Sequence, residues 1–86
     1  VLSATVAVYP NPAENATTLS IITQRSGEKT EIRLYDLLGN LLWSNSIKLP
    51  AGLYHQDIDL KEYSPGIYFI EVKNGDQSIV NKLEKL

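Results

Sequence analysis

Eighty-six residues with eight basic and ten acidic side chains give a net charge of −2, scattered without a positive stripe to follow a phosphate backbone, so nucleic acid is not expected as a partner. No run approaches the ~18 apolar residues that span a bilayer, and the absence of cysteine removes thiol chemistry, thiolate metal sites and disulfide staples. Area scaling gives a folded surface of about 5,100 Å² against roughly 13,900 Å² for the unfolded chain, enough for one core and no second domain.

Along the chain the hydrophobic period is two rather than 3.6. Short segments rich in β-branched or aromatic residues are predicted as strands at Thr5–Tyr9, Thr17–Thr23, Glu31–Leu37, Leu41–Lys48, Leu53–Leu60, Ile67–Lys73 and Gln77–Leu83. Turn signals about 8–12 residues apart are the pattern of a β-sandwich or barrel, and the fold expected is an all-β, immunoglobulin-like antiparallel β-sandwich of about seven short strands. Alternation assigns Ile32, Leu34, Tyr68, Ile70 and Val72 to the core, with Glu31, Arg33, Ile67, Phe69 and Glu71 opposite them. Tyr54, Gln56, Ile58 and Leu60 alternate with His55, Asp57 and Asp59, and Gln56 is a blemish on that otherwise apolar face. Trp43, beside Leu41 and Leu42, reads as core or near-core. The opening VLSATVAV has neither an initiator Met nor a basic leader, so the chain is expected to be cut from something longer.

Pro10 and Pro12 lack an N–H and push Tyr9 and Asn11 toward extended backbone, so this stretch is an edge kink or a strand-to-strand crossover. Gly39-Asn40 fits a type II′ hairpin turn with Gly39 at the first positive-φ position, and Asn74-Gly75 fits a type I′ turn with both residues at positive φ. Leu60 followed by Pro65-Gly66-Ile67-Tyr68 predicts a tyrosine corner, in which the Tyr68 hydroxyl bonds back to upstream backbone.

Little in the chain carries chemistry. His55 shares a strand face with Asp57 and Asp59, but no nucleophile in a strained turn or oxyanion donor set accompanies it, and no enzyme activity is expected. Asp36, Asp57, Asp59 and Asp76 lack the spacing of a Ca²⁺ loop, so neither metal nor cofactor is expected. Asn15-Ala16-Thr17 matches a glycosylation acceptor by a short pattern and is read as a turn. Seven aromatics, Tyr9, Tyr35, Trp43, Tyr54, Tyr63, Tyr68 and Phe69, leave a second class open: a fibronectin type III-like adhesion or carbohydrate-binding module using a planar aromatic row.

YPNPAENATTLSI, EIRLYDLLGNLL, LPAGLYHQDIDL and SPGIYFIEVKNGDQSIVNKLEKL, in this order and spacing, resemble the C-terminal sorting domain, type A, of the type IX (Por) secretion system of Bacteroidetes. Nearly the whole chain is covered. The matching positions are Pro10, Asn11 and Pro12 in the opening motif, Tyr35, Asp36 and Gly39 in the central hairpin, Gly66, Tyr68 and Val72 in the last Gly-x-Tyr strand, and Lys82, Leu83 and Lys85 at the close. Leu86 after Lys85 departs from such domains, which often end on the basic residue. The resemblance implies a non-enzymatic address label, residues 1–86 forming one domain behind a covalently fused N-terminal passenger. The precursor would pass through the periplasm, be taken by shuttle proteins to an outer-membrane translocon, and end at the cell surface or outside. A sortase-like surface protease would remove the label by cutting at or before its first few residues. Within the final hairpin, Gly66 to Leu86, exposed side chains are the expected reading surface. Lys82 and Lys85 are expected to serve there either in recognition or as edge protection against aggregation.

Overall fold

The computed structural model describes residues 4–23, 29–75 and 77–86, and among these every regular element is a strand. The strands are β1 (Ala4–Tyr9), β2 (Ala16–Thr23), β3 (Lys29–Asp36), β4 (Leu41–Lys48), β5 (Gly52–Asp59), β6 (Gly66–Asn74) and β7 (Gln77–Lys85). All seven predicted strands are present, with ends within two residues of expectation.

Two antiparallel sheets form, one in the order β1-β2-β5 and one in the order β4-β3-β6-β7. This is an immunoglobulin-like sandwich in which the fourth strand has left the sheet of the fifth to pair with the third. Alternate residues of each strand face the interior, so the core is Leu19 and Ile21 from β2, Ile32 and Leu34 from β3, Ile58 and Leu60 from β5 and its exit, Tyr68, Ile70 and Val72 from β6, and Leu83 from β7. Trp43, Tyr54 and Tyr63 lie half-buried against it. The surface of 5154 Å² agrees with the size-based expectation.

Gln56 is a join between the sheets. Its Oε1 accepts from the Tyr54 hydroxyl (3.1 Å) and from Asn45 Nδ2 (3.3 Å) on β4 of the opposite sheet. Its Nε2 donates to the Asp57 carbonyl at 2.9 Å. Every polar atom of the blemish has a partner, which is the condition for placing an amide at a partly buried edge.

Two turns differ from expectation. Asn74 lies inside β6, pairs with Gln77 and is 1% exposed, so the strand runs through it and the turn begins at Gly75, φ 60°. Asn74 is drawn into the strand because its Nδ2 donates across the sheet to Thr30 Oγ1, a bond that a turn residue pointing into solvent would not make. No non-glycine among the described residues has positive φ; Asp76 lies outside them. In the β3–β4 hairpin the loop is Leu37, Leu38 and Gly39: the Gly39 N–H donates to the Asp36 carbonyl (3.1 Å) and the Asp36 N–H to the Asn40 carbonyl (3.0 Å). Gly39 at φ 89° is thus the third loop residue, as in three-residue hairpin loops closed by a left-handed glycine, and not the first of a two-residue turn. The extra residue is absorbed by a bulge in β4, where Leu34 pairs with Trp43 and Tyr35 with Leu41, leaving Leu42 over.

Candidate functional site

The register sets which motifs meet. In the four-stranded sheet Asp36 pairs with Tyr68 and Tyr68 with Leu83, Tyr35 pairs with Phe69 and Phe69 with Lys82, and Gly66 pairs with Lys85. The central hairpin tip, the Gly-x-Tyr strand's start and the last residues of β7 therefore share one end of the sandwich. The opening motif joins them from the other sheet. Ala13 forms a parallel bridge to Lys85, its N–H donating to the Glu84 carbonyl and its carbonyl accepting from the Leu86 N–H, both at 2.8 Å. Asn11 Nδ2 donates to the Lys82 carbonyl at 2.7 Å, and Asn11 Oδ1 accepts from the Glu84 N–H at 3.0 Å.

Pro10-Asn11-Pro12 is the connection between β1 and β2 in one sheet, and it crosses to the edge of the other. Tyr9-Pro10 and Asn11-Pro12 are both cis. Thr17, 1% exposed, donates its hydroxyl to the Pro10 carbonyl at 2.9 Å, and the Leu60 N–H donates to the Asn15 carbonyl at 2.8 Å. Asn15 and Ala16 are exposed while Thr17 is buried, and the stretch leads from turn into β2.

The tyrosine corner is present. The Tyr68 hydroxyl donates to the Ser64 carbonyl at 2.5 Å while the ring is 7% exposed. Tyr63 packs against it with ring centroids 5.8 Å apart and planes at 44°, within the range of favourable tilted pairs.

At the hairpin tip, Asp36 organises its own loop. Its Oδ1 accepts from the N–H groups of Leu38 and Asn40, each at 2.9 Å, and its Oδ2 from Asn40 Nδ2 at 3.0 Å. The Asn40 side chain foremost, then the Asn40 backbone N–H, hold the Asp36 carboxyl below the usual carboxylate range. Such a carboxylate is a built-in turn clamp.

Of the twelve motif positions, all but Val72 gather at this pole; Val72 sits deeper in the core, paired with Ile32 and Ile79. Lys82 is exposed, but Lys85 is 8% exposed and its side chain is on the inner face. This corrects the expectation of two surface lysines. Strand period explains it, since residues three apart point to opposite faces, and the long aliphatic stem of lysine tolerates such a position.

The outer face of the four-stranded sheet is divided. Mid-sheet it is ionic: Arg33 pairs with Glu31 and lies 3.5 Å from Glu71, which also accepts from Ser78 Oγ at 3.0 Å. Toward the motif pole it turns apolar, with Tyr35, Phe69 and Ile67 half-buried and Leu37, Leu38 and Leu41 at 64%, 88% and 54% exposed. A cleft of 240 Å³ between Leu37, Leu38, Pro65, Gly66 and Ile67 indents this end. Sequence reading did not single out Leu37 and Leu38; two consecutive apolar residues beside a turn glycine were the available signal.

His55 meets the Tyr9 hydroxyl at 3.3 Å, and Asp57 accepts from Thr18 Oγ1 at 3.0 Å. No His55–Asp57 bond joins this face.

The domain is thus an immunoglobulin-like β-sandwich whose opening motif closes onto its last strand. The secretion-system C-terminal sorting domain family matches residues 7–85, and the chain belongs to it; it is a type IX secretion sorting domain. No curated protein matches the chain. Among solved structures it is similar to dimeric latent PorU from Porphyromonas gingivalis, with a TM-score of 0.76 and 20% identity over all of this chain and 9% of that one. The chain thus spans a small part of that protein, and the likeness concerns the fold.

Proposed function

We propose that residues 1–86 are the C-terminal export signal of a larger precursor, following a passenger that crosses the inner membrane by a separate signal. Type IX shuttle proteins and an outer-membrane translocon take the folded domain from the periplasm, and a sortase-like surface protease then removes it, commonly attaching the passenger to lipopolysaccharide. Membership in the sorting family supports a secretion-signal role and a secreted or cell-surface destination. The single observation that carries the reading is the meeting of the opening motif with β7, through Asn11 and Ala13, at the end where the central hairpin also lies.

The adhesion or carbohydrate reading fares less well on aromatic placement. Tyr68 is buried, Trp43, Tyr54 and Tyr63 pack on the core, and only Tyr35 and Phe69 stand side by side on an outer face. A two-ring platform beside exposed leucines suits protein contact more than sugar stacking. Residues 1–86 fused behind a periplasmically exported reporter, in a host with a type IX system, should appear at the surface or in the medium. An intact fusion retained in the periplasm would sink the proposal.

A further inference from the structure

Seven antiparallel strands are an odd number, so the first and last strand ends lie at opposite poles. Ala4 pairs with Thr23, and Thr30 with Asn74, at the pole of the Gly75 turn; Tyr9, Asp36, Gly66 and Leu86 lie at the other. The longest extent of the domain is 35 Å. Ala4, where the described chain enters β1, therefore lies at the pole remote from the Leu37–Leu38–Leu41 apolar end.

We propose, building on the sorting reading, that the export machinery reads the domain end-on at the motif pole, a protein reader seating an apolar side chain in the Leu37–Ile67 cleft, while the upstream segment stays free for cleavage at the opposite pole. Charge favours a protein over an anionic surface. Lys82 is flanked on the same face by Glu84, and the Asp36 carboxylate stands at the rim, so no basic cluster forms there. Size favours a transient partner over a second copy. The two shorter extents of the domain, 22 and 17 Å, limit an end-on contact to roughly 370 Å², against the about 800 Å² per partner of a standard stable interface. A weak, small contact is what a cargo handed from reader to protease needs.

The test places the same small folded domain in either hairpin of the reporter fusion, after Gly75 or after Leu38, and adds Leu38→Asp, whose site is too exposed to affect folding. Melting curves of the purified fusions report folding, and fractionation with a surface-protease assay reports export. The proposal expects the intact and Gly75-inserted fusions at the surface and cleaved, with the Leu38 insertion and Leu38→Asp retained in the periplasm. Export of both Leu38 variants alongside the intact fusion overturns it while leaving the sorting reading standing. So does retention of a folded Gly75 insertion, or self-association abolished by Leu38→Asp without loss of export. Retention of the intact fusion instead overturns the sorting reading, and this proposal with it.

Discussion

The side chain of Asn11 binds the backbone of β7 as a neighbouring strand would: its amide donates to the Lys82 carbonyl and accepts the Glu84 N–H, 71 and 73 residues away in sequence, bracketing Leu83. One side-chain amide thus satisfies a carbonyl and an N–H of an edge strand that would otherwise be open to pairing with other chains. Ala13 continues the same line with its own backbone, so the opening motif covers the outer edge of the last residues of β7.

Asn11→Ala removes both bonds. With each net hydrogen bond contributing about 0.5–1.5 kcal/mol, and this site solvent-exposed, the loss should be about 1–2 kcal/mol. Hydrogen exchange should localise it: the Glu84 amide should exchange much faster, while the Ile70 amide in central β6 should follow only the global change. Unchanged protection at Glu84 would mean that the bracket contributes nothing.

Tyr68→Phe leaves the ring in place and strips the Ser64 carbonyl of its donor. Because the ring is buried, chemical denaturation should show a loss of about 1–3 kcal/mol. A change below about 0.5 kcal/mol would reduce Tyr68 to a core aromatic.

Left-handed backbone makes Gly75 and Gly39 the sensitive turn positions. A β-branched residue in that region costs about 1–2 kcal/mol or more, so Gly75→Val and Gly39→Val should each lower the denaturation midpoint clearly. The open surroundings of Gly39, with nothing within 4 Å of an added Cβ, make the cost conformational rather than steric. A wild-type midpoint in either variant would contradict the φ assignment.

Asp36 gives the fold a pH dependence of defined sign. Its folded pKa is lowered, chiefly by the Asn40 side chain. The stability that it contributes is therefore complete above the unfolded value of about 3.9 and disappears as pH falls through the lower folded value. The melting-temperature gap between wild type and Asp36→Ala should be full at neutral pH and close in acid below about pH 4. A gap that persists in acid would place the contribution of Asp36 elsewhere than in its ionised form.

The strands were legible because each alternates apolar and polar residues between Gly, Pro, Asn or Ser punctuation, and the tyrosine corner because Pro-Gly-x-Tyr follows a strand ending in Leu60. Asn74 was misassigned because an Asn-Gly pair carries the local propensity of a turn centre, whereas its place in β6 depends on Thr30, 44 residues away in sequence. Gly39 closes its loop instead of opening it, because nothing local distinguishes a two-residue loop from a three-residue loop plus bulge. Lys85 was placed outside although its spacing from Lys82 already puts it on the other face. The bracket formed by Asn11 had no local signature, since only the packing of two sheets brings the first turn to the last strand.

The central claim, that this domain is an outer-membrane export signal, is tested most directly by fractionating cells of a type IX host that carry the reporter fusion in three forms: intact, lacking Val80–Leu86, and with Lys82→Glu. The truncation removes Leu83, which is fully buried, and the partners of Asn11 and Ala13, so it dismantles the motif pole; Lys82→Glu alters one exposed charge. The intact fusion should reach the surface or the medium and the truncated one should stay in the periplasm. Export of the charge-reversed form would identify Lys82 as edge protection, and its retention would make Lys82 part of what is read. An intact fusion confined to the periplasm of a host that exports its own type IX cargo would show that the domain is no export signal.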